Sequence, residues 1–136
     1  MKTLVIACSD GRIAGPLSTL QAWLGVPDAD RILIPGGPLL FTRSGGERRF
    51  ALEAVRVHLE TQGLRTIHLV SHQECGAYER VLGGFGFDQQ ELLVRDLRRA
   101  RTLLENECPG VEVRSYLIPW RENGRGPGFG PAELVD

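Results

Sequence analysis

No apolar run in the sequence approaches the roughly 20 residues that cross a bilayer, so no segment reads as a membrane-spanning helix. The first residues do not read as an export signal either. Met1-Lys2-Thr3 carries one positive charge ahead of only Leu4-Val5-Ile6-Ala7, and a buried strand accounts for that run better. The expectation is a cytoplasmic protein. Cysteine is scarce, and 3 thiols, an odd number in a chain without an export signal, argue against a disulfide framework and for free thiols or metal binding. An excess of one charge is also missing: 16 Lys and Arg against 17 Asp and Glu leave a net charge of -1, with no reason to expect nucleic acid or an anionic membrane as partner. Internal repeats and linkers are absent. The 136 residues, 42% hydrophobic and 24% charged, suit one globular domain over 1–136, large enough to bury a continuous core unaided.

Short apolar runs alternate with helical patterns along this domain. Residues 4–7 are continuously apolar, as a strand covered on both faces is. Pro16 opens a helix to about residue 24 on the stripe Leu17, Leu20, Trp23 and Leu24. A second strand over 31–34 stops at Pro35-Gly36-Gly37-Pro38, and a loop follows to residue 46. From 47 to 62, Phe50, Ala51, Ala54, Val55, Val57 and Leu59 recur at helical spacing, with Gly63 beyond the end. Residues 66–70 form a third strand, with His72 just past its tip and Cys75 opening a helix that reaches 82. Gly83-Gly84-Phe85-Gly86 separates it from a helix over 89–107 on the stripe Leu92, Leu93, Leu97, Ala100 and Leu104. That glycine cluster follows a helix rather than a strand, so it does not read as a dinucleotide loop. Residues 111–118 alternate at first like a partly exposed edge strand, and 119–136 form a Gly/Pro-rich C-terminal arm, extended or loosely held.

These elements predict an α/β three-layer fold: a central, mostly parallel sheet in strand order 2-1-3-4, with right-handed crossovers and helices on both faces. The winding reverses between strands one and three. Open α/β sheets bind ligands at strand carboxyl ends at such a point, and those ends carry Cys8 and His72.

Two thiolates and an imidazole suit Zn²⁺, and three protein ligands with a fourth position open is the pattern of catalytic zinc. Cys8, His72 and Cys75 are the candidates, with Cys75 helped toward the thiolate by its place at a helix start. Asp10 lies close enough to Cys8 to reach the metal itself or to stand just outside its shell, and Arg12 could hold it off as a bidentate partner. Zinc lowers the pKa of water to about 7, which makes a nucleophile for an electrophilic carbon at neutral pH.

The runs Cys8-Ser9-Asp10-Gly11-Arg12 and His72-Gln73-Glu74-Cys75-Gly76 resemble the paired Cys-x-Asp-x-Arg and His-x-x-Cys-Gly motifs of the β-class carbonic anhydrases. The likeness extends from the first strand to the helix after Cys75. It implies Cys8, His72 and Cys75 as zinc ligands, and Asp10 and Arg12 as a catalytic dyad that frees the metal for water or lets Asp10 close the site as fourth ligand. It implies reversible hydration of carbon dioxide to bicarbonate, in a homodimer. The chain departs from the family in three places. It starts at the strand bearing Cys8, without the helices that usually precede it. It has Ile34-Pro35-Gly36-Gly37-Pro38 where an Arg-Asn-Ala-Gly-Asn-like stretch is common, and Ser71 where Gly often precedes the histidine.

Three functions are therefore weighed: a zinc lyase acting on carbon dioxide, an enzyme for another small heterocumulene such as carbonyl sulfide or carbon disulfide, and a zinc-binding module closed by Asp10. A thiol phosphatase is disfavoured because the loop from Cys8 to Arg12 is too short to cradle a phosphate. Plainer roles stand beside these. Asp10 and Arg12 are read also as an ion pair shaping the loop, Cys108 as an incidental thiol, and His58 and His68 as structural. Trp120 and Phe129 in the arm are candidates to pack on a neighbouring subunit.

Overall fold

The computed structural model describes residues 2–82, 89–123 and 126–135. Its centre is a pair of apolar strands, β1 (Lys2–Ala7) and β3 (Leu64–His72), lying parallel with Leu4 opposite Ile67, Ile6 opposite Leu69 and Ala7 opposite Val70. All six side chains are fully buried, which requires cover on both faces and explains why neither strand alternates polar with apolar. β2 (Asp30–Leu33) pairs parallel with the outer edge of β1, and β4 (Glu112–Ile118) pairs parallel with β3. The sheet continues to a short antiparallel strand, β7 (Glu133–Val135), in the order β2-β1-β3-β4-β7. The expected parallel order is present.

Two expectations about the C-terminal third change. β4 is not an edge strand: β7 covers Ser115 to Leu117, so Ser115 onward is buried while only Glu112 and Arg114, ahead of that cover, are exposed. The arm is structured as well, since β5 (Trp120–Asn123) and β6 (Gly126–Phe129) form an antiparallel ribbon before the chain returns to the sheet as β7. A bond from Gly130 N–H to the Pro119 carbonyl, 2.8 Å, ties the foot of the ribbon.

The helices are α1 (Ala14–Trp23), the short α2 (Leu39–Thr42), α3 (Gly46–Gln62), α4 (Gly76–Leu82) and α5 (Gln89–Glu107). Right-handed crossovers in this strand order put α1 on one face and α3 and α5 on the other, and α2 packs against both of the latter. On α5, Leu93, Leu97, Ala100 and Leu104 are fully buried while Leu92 is only half so. α3 ends on Gly63 in the left-handed conformation, φ 63°, the usual stop for a helix. The glycine cluster at 83–86 lies outside the described residues.

On α1 the inner stripe differs from the one expected. Leu17 and Leu20 are buried but Trp23 is 79% exposed, and Gln21 takes an inner place. Gln21 affords this by bonding: its amide donates to the Val26 carbonyl at 3.1 Å and accepts from Arg31 at 2.6 Å, so no polar group is stranded. Phe50 and Val57 on α3 are likewise exposed. His58 lies 3.4 Å from Asp30, and His68 is buried beside Tyr116, its pKa held down chiefly by burial. Neither joins the cluster described next. Among the described residues no helix is long and apolar enough to cross a membrane.

Candidate metal centre

The parallel register places the ends of β1 and β3 side by side, and the chemistry collects there. Cys8 follows directly on β1, and His72 is the last residue of β3, which runs two residues past the apolar stretch that marks it in the sequence. Cys75 stands immediately before α4, its carbonyl accepting the first helical bond from Glu79 N–H at 3.1 Å. One ligand atom from each of Cys8, His72 and Cys75 lies within 4.8 Å of the other two, and all three residues are buried.

Two features of this cluster fit a thiophilic divalent ion. The sulfurs of Cys8 and Cys75 are 4.0 Å apart; two sulfurs at about 2.3 Å from one tetrahedral ion are separated by about 3.8 Å. His72 Nδ1 lies 2.7 Å from the Gln73 carbonyl, which can only accept, so the ring proton sits on Nδ1 and Nε2 presents its lone pair. That Nε2 is buried without a hydrogen-bond partner, a costly arrangement that a bound cation would relieve.

The two thiols are not equivalent. With Cys75 as the donor in the contact between the two sulfurs, the Cys8 pKa is held well below the ordinary thiol value against the opposing effect of burial, and the N–H groups of Asp10 and Gly36 add to it. Cys75 is pushed up, first by that bond to Cys8 and then by burial, although N–H groups at the start of α4 act the other way. The helix start therefore does not by itself make Cys75 the thiolate, as its position in the sequence suggests. Cys8 is the readier anion.

Asp10 and Arg12 form a compact unit beside the cluster. Asp10 caps the short 3-10 turn Gly11–Ile13 by accepting from the Arg12 N–H at 2.9 Å, and the Arg12 side chain bonds both its carboxylate oxygens, at 3.2 Å from Nε to Oδ1 and 2.8 Å from Nη2 to Oδ2. The hydrogen bond from the Arg12 side chain is the main reason the Asp10 pKa is lowered. Oδ2 lies 3.9 Å from His72 Nε2, so the carboxylate borders the ligand cluster without bonding to it. Arg12 Nη2 also donates to the Glu74 carbonyl at 2.8 Å. Glu74 has φ 58°, and is the only non-glycine among the described residues in the left-handed region; such strain concentrates at functional loops.

Other parts of the centre carry no ligand motif of their own. Gly36 N–H donates to the Cys8 sulfur at 3.3 Å, from the Pro-Gly-Gly-Pro segment. Gln89, at the start of α5, accepts from Cys75 N–H at 3.2 Å, and Gln73 accepts from Trp120 N–H at 2.7 Å. The ring of Phe129, from the ribbon, stands edge-on to His72 with centroids 5.5 Å apart. Trp120 and Phe129 thus pack on each other and on their own chain's centre. Cys108 is buried and lies outside the ligand cluster.

Comparison with known proteins agrees with this architecture. No protein-family profile matches the chain. An uncharacterised protein of Rickettsia conorii is 26% identical over 131 residues, covering 85% of this chain; the chain spans 66% of that relative's length, just under two thirds. Among solved structures, the β-carbonic anhydrase CafA of the fungus Aspergillus fumigatus superposes with a TM-score of 0.50 at 15% identity, over 87% of this chain and 70% of the other. The chain has a carbonic anhydrase-like α/β fold, with a Cys–His–Cys group able to hold a metal at the ends of its two central strands.

Proposed function

We propose that the protein binds zinc through Cys8, His72 and Cys75 and catalyses the reversible hydration of carbon dioxide to bicarbonate, with Asp10 and Arg12 as the catalytic pair. The observation that carries this reading is the convergence of two sulfurs and an unpartnered imidazole nitrogen within 4.8 Å, bordered by an arginine-held carboxylate. The fold shared with a β-carbonic anhydrase supports it. Bound zinc supplies the Lewis acidity that lowers the pKa of water to about 7, so that a nucleophile exists at neutral pH.

The chain's own residues supply the rest. The Gln73 carbonyl fixes the His72 tautomer, and the Gly36 N–H steadies the Cys8 sulfur. Arg12 keeps Asp10 ionised and turned so that Oδ2 borders the centre, where it can accept a hydrogen bond or a proton. The substrate is small and uncharged, and needs little more than access.

The 3.9 Å approach of Asp10 Oδ2 to His72 Nε2 favours one second reading, in which Asp10 completes the metal shell and the protein holds zinc without turnover. Stopped-flow hydration by zinc-loaded wild type and Asp10→Asn separates the two. Under the hydratase reading the wild type accelerates hydration and Asp10→Asn loses about 10-fold or more in kcat/KM, in line with the loss of a proton acceptor. A wild-type rate equal to the uncatalysed one would sink the hydratase reading, and activity appearing only in Asp10→Asn would establish the closed site.

A further inference from the structure

Arg12 is held from three sides. Its guanidinium bonds Asp10, its Nη2 bonds the Glu74 carbonyl, and its central carbon lies 5.3 Å from the centroid of the Phe129 ring. The first two contacts are made in water: the Arg12 side chain is 52% exposed, and an ion pair that open is weak on its own. The aromatic face adds a cation–π contact on the side the carboxylate and the carbonyl leave free.

Phe129 is itself fixed. It is the last residue of β6, opposite Trp120 in the ribbon register, and the two rings meet edge-on at 4.9 Å. Trp120 N–H donates to the Gln73 side chain, in the same loop whose Glu74 carbonyl receives Arg12, and Gly130 N–H closes the ribbon onto Pro119. The ribbon, the loop after β3 and Arg12 therefore brace one another.

We infer that Phe129 is a positioning residue for the Arg12–Asp10 pair: the C-terminal ribbon presents its ring to the guanidinium and so keeps the Asp10 carboxylate paired with Arg12 rather than in the fourth position of the metal centre. Its consequence for the metal rests on the proposed zinc reading; the placement of Arg12 does not. Without the ring, Arg12 loses its third support, and Asp10, freed in part, competes for that fourth position.

Two measurements on wild type, Phe129→Leu, Phe129→Ala and Phe129→Tyr test this. The first needs no metal: the Arg12 Nε–H resonance, assigned through Arg12→Lys, is resolved and slowly exchanging in wild type and in Phe129→Tyr, which keeps the aromatic face. It broadens in Phe129→Leu, which keeps the bulk alone. The second uses Co²⁺-loaded protein and azide as a probe of the fourth position. Azide affinity falls about fivefold in Phe129→Leu and Phe129→Ala, the order expected for one exposed cation–π contact. Adding Asp10→Asn to Phe129→Ala returns it to the value of Asp10→Asn alone. An Arg12 resonance unchanged between wild type and Phe129→Leu would overturn the inference, as would an azide affinity unchanged in folded, cobalt-loaded Phe129→Leu. A wild type that takes up no Co²⁺ contradicts the zinc reading instead, and the Arg12 resonance still decides the role of Phe129.

Discussion

Cys75→Ser and His72→Ala are expected to lose at least about 100-fold in zinc affinity, so that protein purified in the presence of the metal carries one zinc per chain as wild type and almost none as either variant. Each change would remove one of the three proposed ligands and leave only two protein groups to hold the metal. Serine nearly preserves the volume of Cys75 but replaces a soft sulfur by a hard, weakly acidic hydroxyl. The wild type should also gain thermal stability on adding zinc, since the metal binds the folded cluster and not the open chain, while the variants should not. Cys108→Ser is the control: this buried thiol lies outside the cluster and its loss leaves zinc content unchanged. Full zinc content in Cys75→Ser would remove that residue from the ligand set.

Gly37→Ala is expected to destabilise the protein by about 3 kcal/mol, with a fall in melting temperature of roughly 10 °C. Gly37 has φ 56°, which costs a residue with a side chain on the order of 1–2 kcal/mol. A Cβ there would also stand 3.0 Å from both Cys8 N and Val70 O. These are backbone atoms at the ends of the two central strands, held in register by the sheet, and cannot yield as a flexible side chain would. Gly25 gives the comparison: it has φ 75° but nothing within 4 Å of a Cβ, so Gly25→Ala should cost only the conformational part. Equal losses in urea denaturation for the two variants would mean that the close approach at Gly37 carries no weight. The glycines of Pro35-Gly36-Gly37-Pro38 thus have a steric reason, since they let this segment pass over the strand ends and put the Gly36 N–H on the Cys8 sulfur.

The sequence makes some of this legible and hides the rest for identifiable reasons. The helix at 89–107 can be read because leucines at 93, 97 and 104 repeat with the helical period over about three turns, a signal that tertiary context rarely overrides. The parallel strands are legible as short apolar runs, their order 2-1-3-4 follows once strands two and three are placed on opposite edges of strand one, and the ligand cluster follows from thiols and an imidazole at two of the tips. β3 reads short because Ser71 and His72 end the apolar run although the backbone stays extended through them. The ribbon and β7 are hidden in a stretch where Gly and Pro suppress any period, so the approach of Phe129 to His72 and Arg12 has no local signature. Trp23 misleads for the opposite reason: it sits at the margin of an apolar stripe, and the polar Gln21 displaces it from the inner face by satisfying its own hydrogen bonds.

The most direct test is X-ray absorption at the zinc K edge on the wild-type protein loaded with one equivalent of metal. The account requires two sulfur neighbours at about 2.3 Å and one imidazole nitrogen at about 2.0 Å, with a light-atom fourth neighbour. A first shell of nitrogen and oxygen alone would contradict it, because the sulfurs of Cys8 and Cys75 would then be bystanders to the metal.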